Sequence, residues 1–217
     1  MLAIMKNAKH IIWDWNGTLL DDRWLCVESI NQALKKRNLP ELSDDRYMEV
    51  FTFPVQEYYK AVGFDFDKEP FEVAGDEFVD YYDKHFHRVD LHEEAVSALQ
   101  QIQESGRSQS VLSAGRQDYL NKWIIEHDLT GFFMKVLGID NHYATGKTIV
   151  GKGWMEEMPY DSDEVVMIGD TIHDSEVAKA MNVDCILVTH GHVSRKRLEK
   201  TGRVIVDDLS EVKQLLA

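Results

Sequence analysis

Apolar residues follow two different patterns of spacing along the chain. Between residues 21 and 87 they recur every three or four positions, which predicts amphipathic helices. The clearest run contains Trp24, Val27, Ile30, Ala33 and Leu34. From residue 92 onward, short apolar runs alternate with amphipathic segments of helical length. Strands that alternate with helices predict an α/β fold, in which helices cover both faces of a parallel sheet.

The predicted strands and helices of this α/β region can be placed individually. We expect strands at residues 11–13, 108–113, 133–139, 165–168, 185–189 and 203–206. We expect the intervening helices at residues 93–105, 117–127, 147–158, 175–181 and 209–216. In the first of these helices, the residues expected to face the core are Ala95, Val96, Leu99 and Ile102. Gly106 is expected to end this helix, and Ser43 to cap a helix of the earlier block.

Carboxylates stand at the ends of two predicted strands. Asp14 directly follows the strand at 11–13, and Asp170 follows the strand that begins at Val165. Open α/β sheets bind ligands at the carboxyl ends of their strands. Two aspartates from distant parts of the chain can therefore meet there and share Mg²⁺, which prefers oxygen ligands. Asp174 can place another carboxylate beside the metal without binding it directly.

Four short motifs follow one another along the chain: Asp14-Trp15-Asn16-Gly17-Thr18, Ser110-Val111-Leu112-Ser113, Lys147, and Gly169-Asp170 with Asp174. Together they resemble the motifs of the haloacid dehalogenase-like (HAD) superfamily of phosphatases, and the chain is similar to its phosphoglycolate-phosphatase-like branch. The third motif is a lysine, for which Lys152 is the fallback to Lys147. The first motif departs from the family pattern, Asp-x-Asp-Gly-Thr, because Asn16 replaces the second acid.

This resemblance implies a three-layer α/β/α, Rossmann-like core with an inserted helical cap. The core would comprise residues 1–20 and 88–217, and the cap would comprise residues 21–87. The cap contains many aromatic residues. Some of them would line a substrate pocket, and most would form the interior of the cap itself.

The resemblance also implies a Mg²⁺-dependent phosphatase that hydrolyses a small phosphorylated metabolite through an aspartyl-phosphate. Asp14 would be the nucleophile, and Lys147 would neutralise both Asp14 and the phosphate. The other phosphate-binding residues would be Thr18, Ser113, and the amides of Ala114 and Gly115, which we expect to open the next helix.

The metal ligands follow from the same resemblance. Asp14, Asp170 and the backbone carbonyl of Asn16 would hold Mg²⁺, and Asp174 would support them. A backbone ligand needs no acidic side chain, so the substitution at residue 16 leaves the metal site intact.

Asn16 affects catalysis instead. The family's second acid protonates the leaving group and later activates water, and such help is worth about 10²–10⁴-fold. An amide can do neither. Four explanations stay open: a slow enzyme, substrates with good leaving groups, a protein that binds without hydrolysis, or an engineered replacement of Asp by Asn.

Two other functions compete with the phosphatase. A catalytically weak phosphate- and Mg²⁺-binding or regulatory protein would bind ligands without turnover. Phosphonate hydrolases also lack the second acid and carry a Trp where Trp15 stands, but they need a cap lysine, for which Lys60 is the nearest candidate. Dehalogenases work without metal, and the pair Asp170 and Asp174 argues against that branch.

Composition and net charge limit the classes of binding partner and the cellular location that we expect. The 217 residues carry a net charge of −14, which argues against nucleic-acid binding. No apolar stretch is long enough to span a membrane, and residues 1–9 lack the apolar core of a secretory signal. Cys26 and Cys185 stand among apolar neighbours, which predicts buried thiols in a reducing cytoplasm. The oligomeric state stays open.

Four further side chains lie near the motifs. His190 and His192 could form a metal-binding pair, although a loop near the cleft is the favoured interpretation. His173 lies within the fourth motif, where we expect it near the site without a catalytic role. Arg116, just after Ser113, is equally consistent with a substrate contact and with a surface position.

Overall fold

The computed structural model describes residues 7–139 and 146–216. Within these ranges, six strands form one sheet in the order β3-β2-β1-β4-β5-β6. They are β1 His10–Trp13, β2 Ser108–Arg116, β3 Lys135–Ile139, β4 Val165–Gly169, β5 Asp184–Val188 and β6 Val204–Val206. Every neighbouring pair is parallel, which confirms the predicted type of sheet.

The described residues form ten α-helices. The first four are α1 Arg23–Lys36, α2 Asp44–Val50, α3 Val55–Ala61 and α4 Phe71–His85. The others are α5 Ala95–Glu104, α6 Gln117–Glu126, α7 Lys147–Glu157, α8 Ile172–Met181, α9 Arg195–Leu198 and α10 Leu209–Leu216. Residues 21–87, called the helical segment below, contain α1 to α4 and no strand.

The strand order creates the place where ligands are expected to bind. β1 lies between β2 and β4, and the chain leaves β1 toward β2 on one side and reaches β4 on the other. Such a reversal of strand order opens a crevice at the carboxyl ends of the strands. Asp14 and Asp170 follow β1 and β4, so both lie at this crevice.

Side chains of the central strands alternate between two apolar clusters. Ile11 and Trp13 join the cluster that contains residues of α1, α5, α6 and α10. Ile12 and Met167 join the cluster that contains residues of α7, α8 and α9. This alternation follows from the two-residue period of a strand. The result confirms the predicted three-layer, Rossmann-like α/β/α arrangement.

Two predicted helix ends are confirmed, and each is marked in the sequence by a cap or turn residue. Ser43 accepts a hydrogen bond from the amide of Arg46 over 3.2 Å and caps α2. Gly106 follows the end of α5 with a φ of 81°, a left-handed conformation that favours glycine. The prediction that Val96 faces the core is wrong. Its side chain is 38% exposed, because the buried stripe of α5 passes through Ala95, Ala98, Leu99 and Ile102 instead.

Two element boundaries differ from the predictions by three residues. α8 begins at Ile172, three residues earlier than predicted, because Thr171 and Asp174 form a capping box. β2 continues to Arg116, past its predicted end at residue 113. No helix within residues 7–139 and 146–216 has the length and apolarity needed to cross a bilayer.

Candidate active site

Asp14 and Asp170 lie side by side at the ends of neighbouring strands. The amide of Asp14 donates to the carbonyl of Ile168 over 2.8 Å, which continues the pairing of β1 with β4. Asp14 is 6% exposed and Asp170 is fully buried. The structure therefore brings together the two carboxylates that the sequence placed on separate strands.

Thr18 lies between these carboxylates and not in the cavity above them. Its hydroxyl is 3.2 Å from Oδ1 of Asp170 and 3.4 Å from Oδ2 of Asp14. The side chain is fully buried. Its observed partners are thus the two aspartates, whereas the sequence suggested a contact with phosphate.

Lys147 supplies the positive charge of the site. It begins α7, is 2% exposed, and donates hydrogen bonds to Oδ1 of Asp14 and to Oδ1 of Asp174. Lys152 lies farther along the same helix and is exposed. Of the two candidate lysines, Lys147 is therefore the one that reaches the carboxylates.

Asp174 is held from several directions. Its Oδ2 accepts hydrogen bonds from the hydroxyl of Thr171 over 2.6 Å and from the amide of Asp170 over 3.2 Å. Its Oδ1 accepts from Lys147. The same side chain therefore caps α8 and fixes the lysine, which suits a supporting role beside a metal.

The carboxylates carry more negative charge than the lysine can balance. Oxygens of Asp14, Asp170 and Asp174 lie within 4.8 Å of one another. Burial, together with the other two carboxylates, raises the pKa of Asp14 to about 8 despite the opposing effect of Lys147. Burial also raises the pKa of Asp170 to about 6. A buried site of oxygen donors with excess negative charge fits a divalent cation such as Mg²⁺.

The loop after Ser113 differs from the prediction. Ala114 and Gly115 do not open a helix, because β2 continues to Arg116 and α6 begins at Gln117. The amide of Gly115 donates to Oγ of Ser113 over 2.9 Å. Ser113, Ala114 and Gly115 all line the cavity, and their contact with phosphate stays a prediction.

Asn16 directs its side-chain nitrogen away from this position. Its Nδ2 donates to Oδ2 of Asp22 over 2.8 Å and to the hydroxyl of Tyr82 over 3.2 Å. Tyr82 in turn donates to Oδ2 of Asp22 over 2.8 Å. The amide of Gly17 donates to Oδ1 of Asp22 over 2.9 Å. Asp22 thus anchors the whole loop that follows Asp14.

Asp22 also pairs with His192, a contact that the sequence did not reveal. Nε2 of His192 lies 3.2 Å from Oδ1 of Asp22, and its Nδ1 lies 2.9 Å from the hydroxyl of Tyr47. Burial opposes the charge on His192, but Asp22 outweighs it and raises the histidine pKa to about 9. The amide of His192 donates to Oδ2 of Asp170 over 2.6 Å, which ties this pair to the carboxylate cluster.

Within the described part of the chain, His190 and His192 do not belong to one cluster of potential metal ligands. His190 stacks on His92 at 3.8 Å between ring centroids, and its Nε2 lies 3.2 Å from the carbonyl of Thr18. Among the described residues, the group around His192 that could hold a metal contains Asp22 and Cys26. The favoured interpretation, a loop beside the cleft, describes their position.

A cavity of about 270 Å³ lies above Asp14, between the helical segment and the strand ends. Its lining from the helical segment includes eight aromatic residues: Tyr47, Phe51, Phe53, Tyr58, Tyr59, Phe71, Phe78 and Tyr82. From the other side, Tyr119, Trp123 and Lys147 complete the wall. Carboxylates, lysine and cavity therefore form one continuous site.

Three further residues were candidates from the sequence: His173, Arg116 and Lys60. His173 and Arg116 line the cavity. Arg116 also forms an ion pair with Asp118 and lies over the ring of Tyr119 at 4.5 Å. Lys60 does not line it; its exposed side chain pairs with Glu57 over 2.9 Å. The lysine suggested for a phosphonate hydrolase is thus outside the site.

Comparisons with known proteins agree with this geometry. The profile of the family described as haloacid dehalogenase-like hydrolase matches residues 11–188. A phosphoglycolate phosphatase of Vibrio parahaemolyticus is 20% identical, over 98% of this chain and 97% of the relative. Tyrosine-protein kinase PtkA of Mycobacterium tuberculosis is 21% identical, over 97% of this chain and 72% of the relative.

Solved structures show the same fold. The crystal structure of a predicted phosphatase from Clostridium acetobutylicum superposes with a TM-score of 0.80 at 22% identity. The alignment covers 95% of this chain and 97% of that structure. The profile confirms the predicted HAD relationship, and with it the class of a HAD-like hydrolase. Because the profile spans most of its length, the chain belongs to the haloacid dehalogenase-like hydrolase family.

Proposed function

We propose that the protein is a Mg²⁺-dependent phosphatase that hydrolyses a small phosphorylated metabolite through a phosphorylated Asp14. The observation that carries this proposal is the convergence of Asp14, Asp170 and Lys147 beneath one cavity. A carboxylate can attack phosphorus only if nearby positive charge offsets the repulsion between two anions. Lys147 provides part of this charge, and the excess of carboxylates calls for a cation.

In the first step, one carboxylate oxygen of Asp14 attacks phosphorus, and the bond from phosphorus to the ester oxygen breaks. The electron pair leaves with that oxygen. Lys147, held against Asp14, stabilises the nucleophile and the incoming phosphoryl group. Ser113 and the segment after it, which line the cavity, would hydrogen-bond the phosphoryl oxygens.

Asp14, Asp170 and the backbone carbonyl of Asn16 would hold Mg²⁺, with Asp174 fixed beside them. When bound, the metal supplies neutralising charge for the phosphoryl group. Thr18 keeps the carboxylates of Asp14 and Asp170 in a fixed mutual orientation through its hydroxyl.

In the second step, water attacks the phosphorus of the phosphorylated Asp14. The bond from phosphorus to Asp14 breaks, the carboxylate is regenerated, and the proton of the water passes to the released phosphate or to solvent. Asn16 can accept a hydrogen bond from this water but cannot remove its proton. We therefore expect this step to be slower than in enzymes with an acid at residue 16.

We also propose that the helical segment acts as a cap over a core of residues 1–20 and 88–217. Supporting this, the cavity takes part of its wall from α1 to α4 and part from the strand ends. The two described cysteines, Cys26 and Cys185, are buried free thiols, which supports a cytoplasmic location. The charge of −14 supports a small-molecule partner rather than a nucleic acid.

Because Asn16 replaces the usual second acid, one alternative function has support: a protein that binds phosphate ligands and Mg²⁺ without turnover. A phosphonate hydrolase has less support, because Lys60 lies outside the cavity. Trp15, whose position suggested that activity, is fully buried in the apolar core.

The test follows phosphate release with Mg²⁺ from acetyl phosphate, phenyl phosphate, glycerol phosphate and a phosphonate, beginning with the first turnover. Asp14→Asn should abolish release, whereas Asp21→Asn, an exposed aspartate in the same loop, should not. Mass spectrometry after an acid quench should find one phosphoryl group on Asp14. Mg²⁺-dependent ligand binding without release from any compound would overturn the phosphatase and favour the binding protein.

A further inference from the structure

The orientation of the Asn16 side chain is fixed by its partners. A backbone amide can only donate, so the bond from Gly17 shows Asp22 acting as an acceptor. The hydroxyl of Tyr82 also donates to Asp22. The group of Asn16 that meets Asp22 must then be its NH₂, which leaves Oδ1 for the cavity side.

The position of Oδ1 agrees with this assignment. A methyl group built on Gly115 would lie 3.6 Å from Oδ1 of Asn16 and 3.2 Å from Oγ of Ser113. Asn16 and Ser113 therefore approach the same small region beside Gly115, where we place the phosphoryl group. At this point Asn16 presents a hydrogen-bond acceptor, where an acid at residue 16 could donate a proton.

The donors beside Asn16 are already committed, whereas Nε2 of His173, which also lines the cavity, has no hydrogen-bond partner in the described ranges. Both ring nitrogens of His192 have partners, Asp22 and the hydroxyl of Tyr47, and the side chain is 4% exposed. Tyr82 donates to Asp22 and accepts from Asn16. Neither group can protonate a leaving group without giving up a buried hydrogen bond.

With these donors committed, a leaving group beside Asn16 departs without a proton. Aliphatic alcohols would leave as alkoxides, whose conjugate acids have a pKa close to that of water, about 15.7. Phenols have a pKa of about 10, so a phenoxide departs far more readily. This comparison favours phosphate esters of phenols.

The cavity gives independent support for an aromatic leaving group. Phe78, Tyr82, Trp123 and Tyr119 form a continuous row of ring contacts, with centroids 5.9 to 6.4 Å apart. An apolar cavity of about 150 Å³ is large enough to bind benzene. A cavity of about 270 Å³ thus has room for a phenyl ring together with a phosphoryl group.

The charges around the cavity disfavour an acidic leaving group. All residues of the helical segment are described, and none of those lining the cavity is Lys, Arg or His. Glu72, Asp76 and Asp83 of α4 line it instead. Of the basic residues that line the rest of the cavity, Arg116 is paired with Asp118, Lys147 with Asp14 and Asp174, and His192 with Asp22. A carboxylate on the leaving group, as in phosphoglycolate, would face these three acids.

We infer that the substrates are aryl phosphates, monoesters of uncharged or cationic phenols, whose ring occupies the aromatic cavity while Asn16 accepts a hydrogen bond from the attacking water. This inference rests on the proposed phosphatase. The overall reaction converts an aryl phosphate and water into a phenol and inorganic phosphate. The electron pair of the broken ester bond leaves on the phenoxide, which takes its proton from solvent.

The test compares kcat/KM for three substrates: phenyl phosphate, benzyl phosphate and phosphoglycolate. Benzyl phosphate keeps the ring but must release an alkoxide. We expect phenyl phosphate to exceed benzyl phosphate and phosphoglycolate by at least about 100-fold, because no acid assists the alkoxides. Asn16→Asp should raise the rate with benzyl phosphate much more than the rate with phenyl phosphate.

A second pair of variants tests the role of the acidic residues of α4 that line the cavity. Replacing both Glu72→Gln and Asp76→Asn, which are exposed, should improve KM for phosphoglycolate more than KM for phenyl phosphate. Asp80→Asn, on the same helix but not lining the cavity, is the matched control and should leave both KM values unchanged.

The outcomes separate this inference from the phosphatase itself. Benzyl phosphate or phosphoglycolate turned over as fast as phenyl phosphate would overturn the inference and leave the phosphatase standing. If His173→Gln then removed the benzyl phosphate activity, His173 would be the missing proton donor. Release from none of the esters, nor from acetyl phosphate, would overturn both proposals.

Discussion

The side-chain nitrogen of Asn16 donates a hydrogen bond to Oδ2 of Asp22 over 2.8 Å. An aspartate at residue 16 would bring two carboxylates to this distance, and such a pair holds one proton well above the usual carboxyl pKa. The Asn16→Asp variant should therefore carry a protonated acid close to neutral pH, which a general acid requires. With Asn16, Asp22 serves instead to orient an amide.

Tyr82→Phe should destabilise the protein because it removes a buried hydroxyl that contacts both Asn16 and Asp22. Leaving buried polar groups without a partner costs about 1–3 kcal/mol. Tyr81→Phe is the matched control, since the Tyr81 hydroxyl donates its hydrogen bond to Glu28, which is only partly buried. We expect the control to change stability by less than about 0.5 kcal/mol. Urea denaturation measures both, and equal losses would contradict the role assigned to Tyr82.

Lys147→Met should abolish phosphate release and lower the free energy of unfolding. The lysine is 2% exposed and compensates Asp14 and Asp174, so its loss leaves buried carboxylates unpaired. Breaking a buried ion pair costs about 3–5 kcal/mol. Lys152→Met changes an exposed lysine of the same helix, and we expect it to stay within about 0.5 kcal/mol of the wild type. A normal rate of release in Lys147→Met would contradict the assignment.

The convergence of Asp14 and Asp170 could be predicted because it follows from the backbone. Each residue comes directly after an apolar strand, and parallel strands bring their carboxyl ends to one edge. The choice of Lys147 over Lys152 needed the structure, because both lysines lie on α7 and only the fold shows which side faces the carboxylates.

The pairing of Asp22 with His192 was missed for a physical reason. The two residues are 170 positions apart, and their contact depends on how α1 and the loop after β5 meet above β1. Neither a strand-end position nor a helical period marks Asp22. The start of α8, in contrast, could have been predicted from the sequence. Thr171 and Asp174 have the spacing of a capping box, which marks the beginning of a helix.

Mg²⁺ should stabilise the folded protein through Asp14 and Asp170, independently of any turnover. A ligand present at 100 times its dissociation constant adds about 2.7 kcal/mol to the free energy of unfolding. Asp170→Asn should lose this increment. Without Mg²⁺ the variant should be at least as stable as the wild type, because burial disfavours the charged form of Asp170 and raises its pKa to about 6. Thermal unfolding with and without Mg²⁺ checks this, and equal shifts in both proteins would place the metal elsewhere.

His10 should make the protein less stable in mild acid. The side chain is fully buried between Ser108 and Ser110, with each ring nitrogen 2.7 Å from a hydroxyl, and burial lowers its pKa to about 4. In the unfolded chain a histidine takes up its proton near pH 6.5. Between about pH 6.5 and 4 the unfolded state therefore binds more protons, and stability falls as the pH falls. The difference corresponds to about 3 kcal/mol for this residue.

The variant His10→Gln isolates that contribution. His92 and His190, whose pKa values burial also lowers to about 4, remain in both proteins, so their effects cancel in the comparison. The variant should be less stable than the wild type at pH 7, because it loses fitted hydrogen bonds, yet its stability should decline less steeply on acidification. Urea denaturation at several pH values from 7 to 4.5 gives both slopes. Parallel slopes would show that His10 does not remain neutral in the folded protein over this range, since only a buried neutral histidine makes the two curves converge.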